Sequence, residues 1–394
     1  MFEAIPPAAP DKIIQLIQQF REDPRDQKVD LGVGVYKNAN GITPVMEAVK
    51  EAESRLWNTQ TTKTYTALAG DTAFHEAMIK LILGNSVPRD RIAAAHTPGG
   101  TGAVRMAFEV IKMASPDSSV WVSNPSWPNH KAILGFIGMN MREYSYFDRA
   151  SRSTDFSGMM SDLQDAKPGD AIVLHGCCHN PTGSDLAYSQ WEELAEFLLV
   201  RHIIPIIDFA YQGFGDGLED DAKALRMIAS KFPESLIAGS CSKNFGLYRE
   251  RAGILLAIAQ ENKTKTDIQG VLASLNRISI SFPPDHGGSL VAIILNDDKL
   301  SRVWREELEA TRKNLLDLRV KLAEELRNLT GSDRFGFLAS HKGMFSLTGC
   351  TPEQVITMRE KHGIYLVGDS RINVAGLNEN TITYMAKAMV DSGM

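Results

Sequence analysis

The chain predicts an α/β protein: a large domain built on a mostly parallel central sheet, joined to a smaller α+β domain. Three observations carry this. Segments at 119–123, 171–175, 203–208, 236–240 and 253–258 alternate with helical patterns, as strands linked by crossover helices do. Several of these segments are apolar throughout, which suits strands buried on both faces. From Arg302 to Leu329 the pattern changes to one long helix, and short strand candidates follow it. A length of 394 residues exceeds one typical domain. The expected division is an N-terminal arm at 1–10, a small domain from 11–44 and 311–394, and a large domain at 45–310.

Composition narrows the class. The chain is 43% hydrophobic and 23% charged, as ordinary globular proteins are. A net charge of −6 argues against a nucleic-acid surface and supplies no polybasic membrane patch. No run reaches the roughly 18 apolar residues of a membrane span. The start, MFEAIPPAAP, lacks the basic and apolar regions of a secretion signal. Cys177, Cys178, Cys241 and Cys350 are too few for a disulfide framework. A cytoplasmic location fits these facts.

In chain order, Pro6, Pro7 and Pro10 suggest an extended arm. Asp11 is placed to cap a helix through Phe20, with Ile13, Leu16, Ile17 and Phe20 on one face. Residues 29–36 read as a strand interrupted by Gly32 and Gly34. Gly34 marks either a turn or a place where a substrate approaches the backbone. Thr43-Pro44 is a helix start, with Val45, Ala48, Val49, Ala52 and Leu56 at helical spacing. Ser189 and Glu192 form a capping-box pattern ahead of Trp191, Leu194, Ala195 and Leu198. Trp304, Leu308, Thr311, Leu315, Leu318, Leu322 and Leu326 line one face of the long helix, read as a connection between domains. Strands near 335–339, 343–348, 364–367 and 371–375 complete the small domain.

Chemistry concentrates where the strands end, which is where ligands bind in α/β sheets. Lys243 follows the apolar run Leu236-Ile237-Ala238-Gly239, with Ser240, Ser242 and Arg251 nearby. Desolvation and neighbouring positive charge lower a lysine pKa, and a neutral amine forms a Schiff base with an aldehyde. Two hydroxyls and an arginine suit a phosphate monoester. Lysine and phosphate cradle together suggest pyridoxal 5′-phosphate. Asp208 closes the strand candidate 203–208; it is either a helix cap or the partner of a pyridine nitrogen, and Tyr211 could meet a phenolic oxygen. Gly99-Gly100-Thr101-Gly102 opens a helix, offering free N–H groups to phosphate. Trp127, between Pro125 and Pro128, could stack on a heterocycle or serve as a hydrophobic lid. His175, Cys177, Cys178 and His179 invite a zinc reading, but a strand would send neighbours to opposite sides, so no metal is expected. Asn180-Pro181 is a candidate cis peptide that aims the Asn180 amide.

These motifs, in this order and spacing over nearly the whole chain, resemble the class I aspartate/aromatic aminotransferases. The resemblance implies the type I fold of pyridoxal-phosphate enzymes and a homodimer with shared active sites. It makes Lys243 the Schiff-base lysine and the base that moves the 1,3-proton. Asp208 would pair with the pyridinium, supported by His130, while Asn180 and Tyr211 hold the ring oxygen and Trp127 stacks on the ring. The phosphate would go to Gly100, Thr101, Ser240, Ser242 and Arg251, with Tyr65 from the other subunit. Arg371 would bind the substrate α-carboxylate, Gly34 would close over it, and Arg277 from the partner subunit would meet a distal carboxylate.

Phe282 departs from the aspartate-specific pattern of the family, which has asparagine there. A phenyl ring in place of an amide favours apolar side chains. Val35, Lys37 and Thr43 remain aspartate-like. The expected function is ping-pong transfer of the amino group of tyrosine or phenylalanine, and also aspartate, to 2-oxoglutarate. The alternative is an aspartate aminotransferase. A lyase or decarboxylase of the same fold would not need Arg277. A regulatory module would carry a nucleic-acid domain, and a nicotinamide dehydrogenase a proper glycine fingerprint; neither is found.

Overall fold

The computed structural model describes residues 1–5 and 12–394. The expected cap Asp11 and the prolines of the arm lie outside the described residues; Phe2–Ala4 form a single 3₁₀ turn. Two compact units emerge. The smaller comprises 1–43, 181–183 and 315–394, and the larger 44–180 and 184–314.

The large unit holds a seven-stranded sheet in the order Ile92–Pro98, Ala252–Ile258, Ser235–Ser240, Ile204–Phe209, Ala171–His175, Ser119–Asn124, Asn140–Ser145. Only Ala252–Ile258 runs antiparallel to its neighbours. The helix Gly99–Ala114 buries Ala103, Val104, Ala107, Phe108 and Ile111 against one face of the sheet, where Val120, Val173, Ile206 and Ala238 meet them. Parallel strands must be covered on both faces, which is why their sequences are apolar without alternation.

Helix starts differ from the local signals. The helix Glu47–Thr59 begins three residues after Pro44. The Glu307 carboxylate accepts from the N–H groups of Glu47 at 2.8 Å and Ala48 at 3.2 Å. A distant acidic side chain therefore does the capping expected of Thr43. The helix Tyr188–Val200 is entered at Ala187, whose N–H donates to Gln190 Oε1 at 2.8 Å, so Ser189 is not its cap. The cis peptide joins Asn124 to Pro125 rather than Asn180 to Pro181.

The long helix spans Asp298–Thr330. Trp304, fully buried, stacks on Phe245 at 4.4 Å and donates its indole N–H to the Asn244 carbonyl at 2.8 Å. It thereby clamps the turn that carries Lys243. Trp304→Phe keeps the stack and orphans that carbonyl; we expect a loss of about 1–2 kcal/mol in urea denaturation.

In the small unit, Leu318, Leu322 and Leu326 of the same helix pack with Leu31, Ile364, Ile372, Met385 and Met389. Val29–Asp30 pairs in parallel with Ile364–Tyr365, and Phe345–Leu347 antiparallel with Arg371–Asn373. The expected strand at 335–339 is instead a turn leading into the short helix Phe337–Ser340.

Candidate active site

Strand ends of the large unit surround a small, partly enclosed cavity. It is lined by Gly100, Thr101, Trp127 and Asn180, by Asp208 and Tyr211, and by Ser240, Ser242, Lys243 and Arg251. His175, Ala210 and Tyr248 complete the lining. Ten of the residues singled out by sequence thus share one wall system. Tyr248 carries no sequence signal, since nothing in Gly246-Leu247-Tyr248 sets it apart, and the sequence offers His175 only as a metal ligand.

Lys243 sits just past the strand Ser235–Ser240, its Nζ 5.3 Å from the centre of the Tyr211 ring. Burial lowers its pKa, the Asp208 charge opposes that, and Arg251 adds to the lowering; the balance is about 8. The amine is therefore partly neutral near pH 7, whereas a solvated lysine is almost wholly charged.

Asp208, buried in the strand Ile204–Phe209, accepts from His130 Nε2 at 3.0 Å. His130 Nδ1 lies 2.9 Å from Ser126 Oγ, which fits a Ser126 hydroxyl donating to it. Burial works to raise the Asp208 pKa. The His130 hydrogen bond and the nearby positive charge of Lys243 outweigh burial, and the carboxyl lies below its usual range. An anionic carboxylate and a lysine thus line the same cavity. Trp127 meets His130 edge-on, at 5.3 Å and 90°.

His175 pairs with Asp208 in the strand register and packs 4.2 Å from His179, which bonds Ser123 Oγ at 3.0 Å. Burial holds His175 neutral, with a pKa of about 3. Cys177 and Cys178 do not alternate along a strand as expected: the strand ends at His175, and Cys178 takes a φ of 53°. Their sulfurs converge on Asp221. The Asp221 oxygens accept from the N–H groups of Gly213, Gly215 and Asp216, which favour its anion, but burial outweighs them and raises its pKa to about 6.

The far end of the cavity suits an anion too. The helix Gly99–Ala114 opens there with its first N–H groups, and Arg251 Nη1 donates to Ser242 Oγ at 3.3 Å. Side chains would not fit at its mouth. A Cβ on Gly99 would come within 2.4 Å of Arg251 Nη2, and one on Gly100 within 2.9 Å of Ser240 Cβ.

The remaining predicted residues do not line this cavity. Arg371 and Gly34 belong to the small unit. Arg371 Nη2 donates to Gly32 O at 3.1 Å, and its guanidinium lies 4.5 Å from the centre of the Phe345 ring. Tyr65, Arg277 and Phe282 form their own group on the large unit. Phe282 stacks on Tyr65 at 4.6 Å and 14°, with the Arg277 guanidinium 5.9 Å from its centroid. Arg277 Nη1 also donates to Ser281 Oγ at 2.6 Å.

A depressed lysine, a buried carboxylate, a flat indole and an anion cradle thus surround one cavity. Residues 26–389 match the family model for aminotransferase class I and II, and the chain belongs to this family. It is 54% identical over 394 residues, the full length of both chains, to the aromatic-amino-acid aminotransferase of Paracoccus denitrificans. It superposes with TM-score 0.97 on the aromatic-amino-acid aminotransferase of Burkholderia pseudomallei covalently bound to pyridoxal phosphate (36% identity, 100% of this chain and 99% of that one). With TM-score 0.96 it matches the psychrophilic aromatic amino acids aminotransferase of Psychrobacter sp. B6 cocrystallised with aspartic acid (37% identity, 100% and 99% covered).

Proposed function

We propose that this transaminase takes its amino group from tyrosine or phenylalanine, and also from aspartate, and passes it to 2-oxoglutarate. The observation that carries the chemistry is that Lys243 and Asp208 line one cavity with an anion cradle. Bound pyridoxal 5′-phosphate supplies the aldehyde that takes up the nitrogen and the ring that accepts the electron pair. Lys243 Nζ holds the cofactor and moves the α-proton. Asp208 keeps a proton on the ring nitrogen, with His130 fixing the carboxylate, and Asn180 and Tyr211 hold the phenolic oxygen. Trp127 covers the ring face. Gly100, Thr101, Ser240, Ser242 and Arg251 take the phosphate.

Arg371 takes the substrate α-carboxylate, for which a guanidinium fork is suited, with Gly34 beside it. We read the protein as a homodimer in which Tyr65 and Arg277 serve the partner's site. Trp57, Tyr65 and Ile278, each more than three-quarters exposed, are consistent with a covering subunit. A cytoplasmic location fits four buried free thiols; among the described residues no helix is long and apolar enough to cross a membrane.

Aromatic preference rests on Phe282. Its ring, stacked on Tyr65 and near the Arg277 guanidinium, offers an apolar surface where an amide would pair with a distal carboxylate. Aspartate as the main donor is the second reading, favoured by the retained Arg277. With 2-oxoglutarate as acceptor, comparable kcat/KM for phenylalanine and aspartate is the expected result. A phenylalanine value below about one thousandth of that for aspartate would overturn it. Phe282→Asn should lower kcat/KM for phenylalanine about tenfold relative to aspartate.

A further inference from the structure

We propose that Asn373 is a positioning residue that holds the Gly34 turn in register with Arg371 for substrate-carboxylate binding. This rests on the reading that Arg371 takes the carboxylate. Arg371 and Asn373 are alternate residues of the strand Arg371–Asn373, so their side chains leave it on the same side. Arg371 Nη2 donates to Gly32 O at 3.1 Å. The Asn373 amide nitrogen donates to both Val33 O, at 2.6 Å, and Val35 O, at 2.8 Å. The Asn373 backbone N–H donates to Leu31 O at 2.8 Å. Two neighbouring side chains thus hold three carbonyls of one short segment.

That segment folds about Gly34. The Val35 N–H returns to Val33 O at 2.9 Å, closing a three-residue turn with Gly34 at its apex. Asn373 binds the carbonyls on either side of that apex, and it is fully buried. Both amide protons are spent on the turn, while its Oδ1 accepts from Ala375 N–H at 3.1 Å. The Phe345 ring ties the two parts together. Arg371 lies 4.5 Å from its centre, and a Cβ on Gly34 would meet its Cζ at 2.9 Å. Gly34 and the guanidinium therefore rest against one ring and hang from one strand. A displaced turn would carry Gly32 O away from Arg371 and alter the geometry in which its fork meets a carboxylate.

Two variants separate this role from simple capping. Asn373→Asp keeps the oxygen that accepts from Ala375 and removes both donors; Asn373→Ala removes everything. The probe is 3-phenylpropionate, which has the aryl group and carboxylate but no amine, titrated into the holoenzyme by absorbance. We expect its Kd, and KM for phenylalanine and 2-oxoglutarate, to rise about ten- to a hundredfold in both variants, with kcat changed less than about threefold. Hydrogen exchange over residues 31–37 should quicken in both. If Asn373→Ala does not accumulate as folded holoenzyme, Asn373→Asp carries the test. Wild-type Kd and exchange in Asn373→Asp would show that the amide only caps the 374–376 turn, and would overturn the proposal. Arg371→Leu is the separate control. An unchanged Kd there sinks the carboxylate reading at Arg371, whereas a raised Kd there with wild-type behaviour in Asn373→Asp sinks only the positioning role.

Discussion

Lys243→Ala is expected to lower transamination of every donor by about 10⁴-fold or more, because the proposed mechanism uses one amine both as nucleophile and as base. The loss should be confined to chemistry. Gly100, Thr101, Ser240, Ser242 and Arg251 are untouched, so the variant should still bind pyridoxal 5′-phosphate, more weakly, without the near-visible band of the covalently bound form. Lys243→Arg is the informative companion. It keeps the positive charge near Asp208, but a guanidinium does not deprotonate in this range, so it should be as inactive as alanine. If charge alone mattered, arginine would rescue. The pH dependence follows from the depressed pKa of about 8. Only the neutral amine attacks an aldehyde, so the apoenzyme should recombine with the cofactor faster as pH rises, changing about tenfold per unit below 8 and levelling above it. A rate that is flat from about pH 6 to 9 would contradict the assignment of the attacking group to Lys243.

Strands buried on both faces were legible because they need unbroken apolar runs, as at Ala171–His175 and Ser235–Ser240. Two sheet members escaped notice for opposite reasons. Ile92-Ala-Ala-Ala-His96 is built from small residues better suited to helices, and it is a strand only because Ala252–Ile258 pairs along its whole length. Asn140–Ser145 is an edge strand whose first four residues are exposed, so polarity hides it. Helix boundaries differ from the local signals where tertiary contacts override local chemistry, as when Glu307 caps the helix expected to start at Thr43-Pro44.

The residues that line the cavity were legible where strands end. Lys243, Asp208 and Trp127 sit where strands end, and chain order alone shows those ends. Supporting residues were not legible in this way. His175 was visible in the sequence, but its place against the cavity depends on strand order, since Ala171–His175 and Ile204–Phe209 are neighbours. Asn373 lies two residues from a singled-out arginine. Its importance rests on carbonyls some 340 positions away, which no local pattern reveals.

Asp208→Asn is the second large effect expected. The amide matches the carboxylate in size, so the cavity should keep its shape, and the change is chiefly one of charge. With the carboxylate, a proton on the ring nitrogen would be balanced by a buried anion; with the amide it would not, and Lys243 loses the attraction of the Asp208 charge. We expect kcat to fall about 10²- to 10³-fold, the size of effect seen when a preorganised electrostatic partner is removed from a reacting group. KM should change little, since the residues proposed for the substrate carboxylates are unaltered. His130 tests whether the carboxylate or its support carries the effect. It touches Asp208 at 3.0 Å but does not line the cavity, so His130→Ala should cost about tenfold, with a shifted pH profile rather than abolished activity. A fall of less than about fivefold in Asp208→Asn, measured on folded holoenzyme, would remove Asp208 from the chemistry. The carboxylate would then be a structural anchor for His130 and Ser126, and the ring nitrogen would have to find its partner elsewhere.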